Sequence, residues 1–265
     1  PQLLTFYRLF IASIILMVFF KNSNLKNCFF KNKSEILIIA IVGNVIPFNL
    51  ISYSEIFVDS IIASTLIGTM PMFTFLISFL VFKKDKFETM SFLGLILGFV
   101  GMIVFINPEN FLMNLSAYNF YALIIFSSLC YAFSANIVKK VKDSSPSDIA
   151  ITSTILAAII CLPVLLFDLI YTDHQIKYLF EKISIESFIS ATILGLVCTA
   201  FAIFIFFSLI KSKSAVYASQ SNYLIPCFGF LWSYIFLSEK LSPNLLLGLI
   251  LIVLGGYLVN KKNSN

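Results

Sequence analysis

Nine stretches of this chain are each apolar over the length a helix needs to cross a lipid bilayer, and only short polar connections separate them. A hydrocarbon core ~30 Å thick takes roughly 20 helical residues per crossing. The stretches run over Leu3–Phe20, Ile36–Phe57, Ile61–Phe82, Thr89–Ile106, Tyr118–Val138, Ile149–Ile170, Ile185–Ile210, Ala215–Leu237 and Pro243–Val259. No water-soluble domain fits between them. Composition agrees, with 59% hydrophobic and 12% charged residues, where soluble domains carry roughly 45–50% and about a quarter. That balance excludes a cytosolic enzyme, a disordered tail and a disulfide-stapled secreted module. A membrane β-barrel is excluded too, because its strands alternate apolar with polar side chains. The expectation is an all-α polytopic membrane protein. The first stretch starts without a basic leader and has no small-residue cleavage site after it, so it reads as a span rather than a signal peptide.

The net charge of +5 is a matter of placement. Alternate connections hold Lys21, Lys26, Lys31 and Lys33; Lys83, Lys84 and Lys86; Lys139, Lys140 and Lys142; Lys211 and Lys213; and the tail adds Lys261 and Lys262. The opposite connections hold only Lys177, Lys182 and Lys240, so the count is 14 against three. Basic residues concentrate on the cytoplasmic side, which orients the bundle with its C-terminus in the cytoplasm and removes any need for a nucleic-acid partner. Five cysteines without close pairing, four of them in apolar segments, read as small buried hydrophobes. A single histidine, His174, leaves no plausible metal site. No cofactor is expected.

The chain contains a repeat. Ala63-Ser64 and Pro71 recur as Ala218-Ser219 and Pro226 at an offset of 155. Asp85-Lys86-Phe87 recurs as Glu239-Lys240-Leu241, and Gly94 with Gly101 as Gly248 with Gly255, one residue closer. Each glycine pair is spaced seven apart, about two turns, and marks a flat face for close helix packing, to which Gly98 adds. Shifted back by the same offset, the fifth stretch lands before Pro1. The expectation is ten spans in two halves of five, with nine present here and the first helix missing. An odd number of spans per half inserts the second half upside down, a device of transporters whose site lies between the halves.

These residues carry a family resemblance. Gly43-Asn44-Val45-Ile46-Pro47-Phe48-Asn49-Leu50-Ile51-Ser52-Tyr53-Ser54-Glu55 resembles the third helix of EamA-type proteins of the drug/metabolite transporter superfamily. Phe6-Tyr7-Arg8-Leu9-Phe10-Ile11-Ala12 resembles their second helix, with its aromatic–Arg–aromatic start. Pro71 and Pro226, the acidic turn at Glu239 and the glycine helices fit the same pattern, while Lys83-Lys84-Asp85 departs from the usual Glu. The resemblance implies two inverted five-helix repeats. Residues 1–112 would hold family helices two to five and residues 113–265 helices six to ten. It also implies a permease of the bacterial inner membrane, with lipid and a small-molecule solute as partners. A homodimer is left open.

An ionisable group inside hydrocarbon is a functional candidate by default. Arg8 has two readings: a grip on a carboxylate or phosphate, or a structural group that pairs with Glu55 or snorkels to headgroups. Glu55 closes a stripe with Asn44, Phe48 and Ser52, beside Tyr53, at helical spacing. It reads as a proton-coupling carboxylate or as an interfacial one. Polar residues cluster before two prolines: Thr65 and Thr69 before Pro71, and Ser219, Gln220, Asn222 and Tyr223 before Pro226. Each proline removes a backbone hydrogen bond, and Pro47 and Pro163 do so in two further spans. Ser127, Tyr131 and Ser134 share a face that Asn136 follows. The function expected is a secondary transporter of a small, amino-acid-like metabolite, with protons as the coupling ion under consideration. A channel, a non-transporting scaffold and an intramembrane enzyme are the rival readings. The last lacks a Ser–His pair, paired aspartates or a zinc helix.

Overall fold

The computed structural model describes residues 1–21, 23–82, 88–106, 117–171, 184–225, 227–228 and 243–260. Among them every regular element is a helix. In chain order these are α1 (Gln2–Phe19), α2 (Leu25–Lys31), α3 (Lys33–Ser54), α4 (Ser60–Ile67), α5 (Met70–Leu80) and α6 (Thr89–Ile106). Then come α7 (Tyr118–Lys140), α8 (Pro146–Tyr171), α9 (Ile185–Ser212), α10 (Ala215–Ser219) and α11 (Pro243–Asn260). Six stretches are long and apolar enough to cross a membrane on their own: α1, α3, Ile62–Leu80 across the α4–α5 break, α7, α8 and α9. The apolar parts of α6 and α11, Thr89–Phe105 and Asn244–Val259, are shorter. Of the expected span Ala215–Leu237, only the part to residue 228 is described, without Pro226. The chain is a multi-pass membrane protein.

Helix ends are fixed by local chemistry. Ser184 accepts from the Ser187 amide at the start of α9, and Ser214 from the Tyr217 amide at the start of α10, as capping residues do. Where α7 and α9 end, beside Ser214, basic residues do the same for carbonyls. Lys139 Nζ donates to the carbonyls of Lys211 and Lys213 at 3.0 and 2.9 Å, and Lys211 Nζ donates to the Val141 carbonyl. The last turns of α7 and α9 are thereby tied together.

Among the described residues four of the expected spans depart from regular α geometry where the sequence pattern predicts a continuous helix, one of them by the 3-10 segment Gln220–Tyr223 that follows α10. A π-helical stretch occupies Ile41–Val45 in α3, and another occupies Leu196–Phe201 in α9. Their starts are 155 residues apart, the repeat offset. In each, a side chain reaches the carbonyl five residues back: Asn44 Nδ2 to Ile39 at 3.2 Å, and Thr199 Oγ1 to Leu194 at 2.9 Å. Asn44 and Thr199 are themselves 155 apart. The expected span Ile61–Phe82 is broken between α4 and α5. Pro71 lacks the amide hydrogen that would reach the Ile67 carbonyl, and Ser128 of α7 donates to that carbonyl at 3.3 Å instead. Thr69 completes the patch, donating to the Leu66 carbonyl at 2.7 Å and meeting Ser128 Oγ at 2.9 Å.

The most extensive helix pair is α6 with α11, and it is antiparallel. A Cβ placed at Gly94 would lie 2.7 Å from the Gly255 oxygen, and one at Gly101 would lie 2.9 Å from the Gly248 oxygen. The bare backbones meet there, which only glycine permits. Elsewhere α1 packs against α8 and α9, and α7 against α3, α4 and α5.

Candidate functional site

Where α1, α3, α7 and α9 meet, the side chain of Arg8 turns into the protein. Its Nε donates to Thr199 Oγ1 at 3.0 Å, and its guanidinium carbon stands 4.0 Å from the centre of the Phe48 ring. Phe48 is buried, and its ring meets the half-buried Tyr131 edge-on at 6.2 Å. A cation over an aromatic face is attracted by the ring quadrupole, more strongly once desolvated. This orientation decides against snorkelling. Close approach of α1 and α9 is set by Gly195, whose added Cβ would lie 3.0 Å from Ile11 and 3.2 Å from the Arg8 carbonyl. Tyr7 Oη and Thr192 Oγ1, 2.8 Å apart, join the same two helices.

Glu55 does not lie in this interior. It sits just past the last residue of α3, is exposed, and makes no ion pair with Arg8 within 4.0 Å, although the two charges are near enough to attract. Of the readings the sequence leaves for Arg8, pairing with Glu55 is therefore corrected. So is the single face expected through Asn44, Phe48, Ser52 and Glu55. Asn44 and Phe48 are buried, Ser52 is half-buried, and Tyr53 and Glu55 are exposed. The π stretch widens one turn of α3, so uniform 3.6-residue spacing misplaces the residues beyond that turn.

Of the other polar residues, Asn136, Asn222 and Tyr223 form interhelical ties. Asn136 Nδ2 donates to the Thr74 carbonyl at 3.1 Å and to its own helix at Ala132 at 3.0 Å, joining α7 to α5. Thr65 is buried in α4. In the short helical segment after α10, Asn222 Nδ2 reaches Met70 Sδ at 3.1 Å, and Tyr223 Oη donates to the Leu95 carbonyl at 2.9 Å. Tyr223 packs on Gly98, where a Cβ would come within 2.7 Å of its ring. Gln220 is half-buried and donates to the Val216 carbonyl at 3.5 Å. Pro47 is buried directly after the π stretch of α3, whereas Pro163 lies exposed inside a continuous α8. Pro226 lies outside the described residues. Thr199 and Ser128 are site residues that the sequence pattern does not reveal. The one signal for Thr199 is its offset of 155 from Asn44. Among the described residues no group of three His, Cys, Asp or Glu could hold a metal ion.

Comparison with known proteins gives this arrangement a family. The profile of the EamA-like transporter family matches residues 1–107 and 119–261. The chain belongs to the EamA-like transporter family. These are transporters rather than enzymes. Two relatives agree, each 23% identical. An uncharacterized transporter of Archaeoglobus fulgidus aligns over 235 residues, 88% of this chain and 79% of that protein. The uncharacterized transporter YoaV of Bacillus subtilis aligns over 264 residues, 96% of this chain and 85% of that protein. A crystal structure superposes at a TM-score of 0.75 with 11% identity, covering 100% of this chain and 89% of that one, and shows that the fold is shared.

Proposed function

We propose that this EamA-like transporter is a secondary carrier. It moves a small, amino-acid-like metabolite across a bacterial inner membrane by alternating access between two inverted halves, residues 1–112 and 113–265. The observation that carries the reading is the pair of π stretches. They recur at the repeat offset and carry the same bond from side chain to the carbonyl five residues back. Single π turns inside α-helices concentrate at functional places. A symmetric pair, one per half, fits two inverted halves with a site between them. The reciprocal contact of Gly94 with Gly255 and Gly101 with Gly248 supports the same two-fold relation. So does the division of the family match at residues 107 and 119. The lysine-rich ends of α7 and α9 face the cytoplasm in this reading. Glu55, at the opposite mouth and within the field of Arg8, is the group that would exchange a proton with the medium.

Tracer counterflow in proteoliposomes tests the carrier. Solutes for it come from a thermal-shift screen of metabolites, since a ligand that binds the folded state stabilises it in proportion to the logarithm of its concentration over its Kd. Preloaded unlabelled solute is expected to drive a transient overshoot of label. Uptake indifferent to internal solute would mean a channel or scaffold. For the coupling role, Glu55→Gln is expected to abolish the response of uptake to an imposed pH gradient, and an unchanged response would remove Glu55 from it.

A further inference from the structure

Arg8 is a cation two turns into a spanning helix, held toward the protein by Thr199 and Phe48. Thr199 passes its own hydrogen on to the Leu194 carbonyl, so its oxygen is free to accept from Arg8 Nε. No described residue accepts from the two terminal guanidinium nitrogens, and Glu55 stands too far away to pair. A charge withdrawn from water without a partner is costly, whether in a protein interior or at membrane depth. The two helices that supply Arg8 and Phe48 also carry three buried oxygens with no partner among the described residues: Thr5 Oγ1 on α1, and Asn49 Oδ1 and Ser54 Oγ on α3. Native interiors leave few such atoms, and those left commonly answer to a bound molecule or water. The repeat does not duplicate the cation, because the position 155 residues after Arg8 is Pro163.

We propose that the terminal nitrogens of Arg8 bind the carboxylate of the transported solute, with the rings of Phe48 and Tyr131 against its apolar part. The proposal rests on the carrier reading and names the chemistry of its site. A planar guanidinium fork matches a carboxylate with two parallel hydrogen bonds. One positive charge balances one negative charge, whereas a doubly charged phosphate would bring an unbalanced charge into the bilayer. Arg8 Nε stays on Thr199, so a solute on the fork is linked through one side chain to the π stretch of α9.

The test is thermal unfolding of the purified full chain against phenylacetate, phenylacetamide and inorganic phosphate. Phenylacetate is expected to raise Tm at concentrations at least tenfold below those phenylacetamide needs, with no shift from phosphate. Arg8→Gln is expected to erase the difference between acid and amide, and Arg8→Lys to keep part of it. Equal shifts from acid and amide in the unaltered chain overturn the proposal. A larger shift from phosphate also overturns it and assigns Arg8 to a phosphate, as in a lipid headgroup. Neither outcome depends on a variant folding. Persistence of the difference in Arg8→Gln overturns it as well. Counterflow of a neutral solute without any acid-specific stabilisation would leave the carrier reading standing and remove this one.

Discussion

Single side chains decide where helices can touch. Gly255 and Gly256 are neighbours with opposite surroundings. A Cβ at Gly255 would lie 2.6 Å from the Gly94 oxygen and the Gly98 nitrogen, whereas one at Gly256 would meet, among the described residues, Gln220 Oε1 at an ordinary 3.5 Å. Gly255→Ala is expected to force α6 and α11 apart and to destabilise by about 1–3 kcal/mol, the usual cost of overpacking. Gly256→Ala is expected to cost less than Gly255→Ala, because its contact with Gln220 is of ordinary length and helix propensity favours alanine over glycine by about 1 kcal/mol. Thermal unfolding in detergent distinguishes the two, and a fall in Tm of equal size for both would break the packing argument. The glycine faces are readable from spacing because a seven-residue period needs no knowledge of the partner. Arg8 is different. Its sequence context allows a lipid-facing or a protein-facing side chain, and only the approach of Thr199 and Phe48 from distant helices selects the second.

At the scale of elements, the informative features are departures from regular helix. In a segment as uniformly apolar as Ile36–Val45 or Ile193–Phe207, hydropathy carries no phase, so an extra residue in a turn leaves no mark on the pattern. That is why the π stretches are invisible in the sequence and why a stripe of regular period ending at Glu55 is too straight. The break before Pro71 is readable in part, since proline announces a lost bond, but the capping of Ile67 by Ser128 is not. Asn44→Leu and Thr199→Val remove the bonds to the carbonyls five residues back. Each is expected to slow counterflow severalfold with little change in Tm. Ser208→Ala, which removes an ordinary bond to the Phe204 carbonyl four residues back at 2.7 Å, is expected to leave the rate unchanged. Equal effects from all three would deny the π stretches any special role.

For the whole molecule, the number of apolar segments and their lysine-rich connections are legible because bilayer thickness and charge asymmetry act on composition rather than on detail. A fluorescent protein fused after Asn265 is expected to fluoresce and alkaline phosphatase fused there to stay inactive, and the reverse pattern would invert the bundle. How the halves move is not legible, because it depends on contacts between segments far apart in the chain. It is tested most directly by spin-label distances at both ends of one cysteine-free protein in lipid nanodiscs. Ile56→Cys with Ile185→Cys reports one end, and Lys33→Cys with Lys213→Cys the other; all four side chains are exposed. A rocking carrier predicts two distances for each pair, with every condition that populates the longer one at one end depopulating it at the other. Both ends widening together, or one fixed distance at each under all conditions, would contradict alternating access between the two halves.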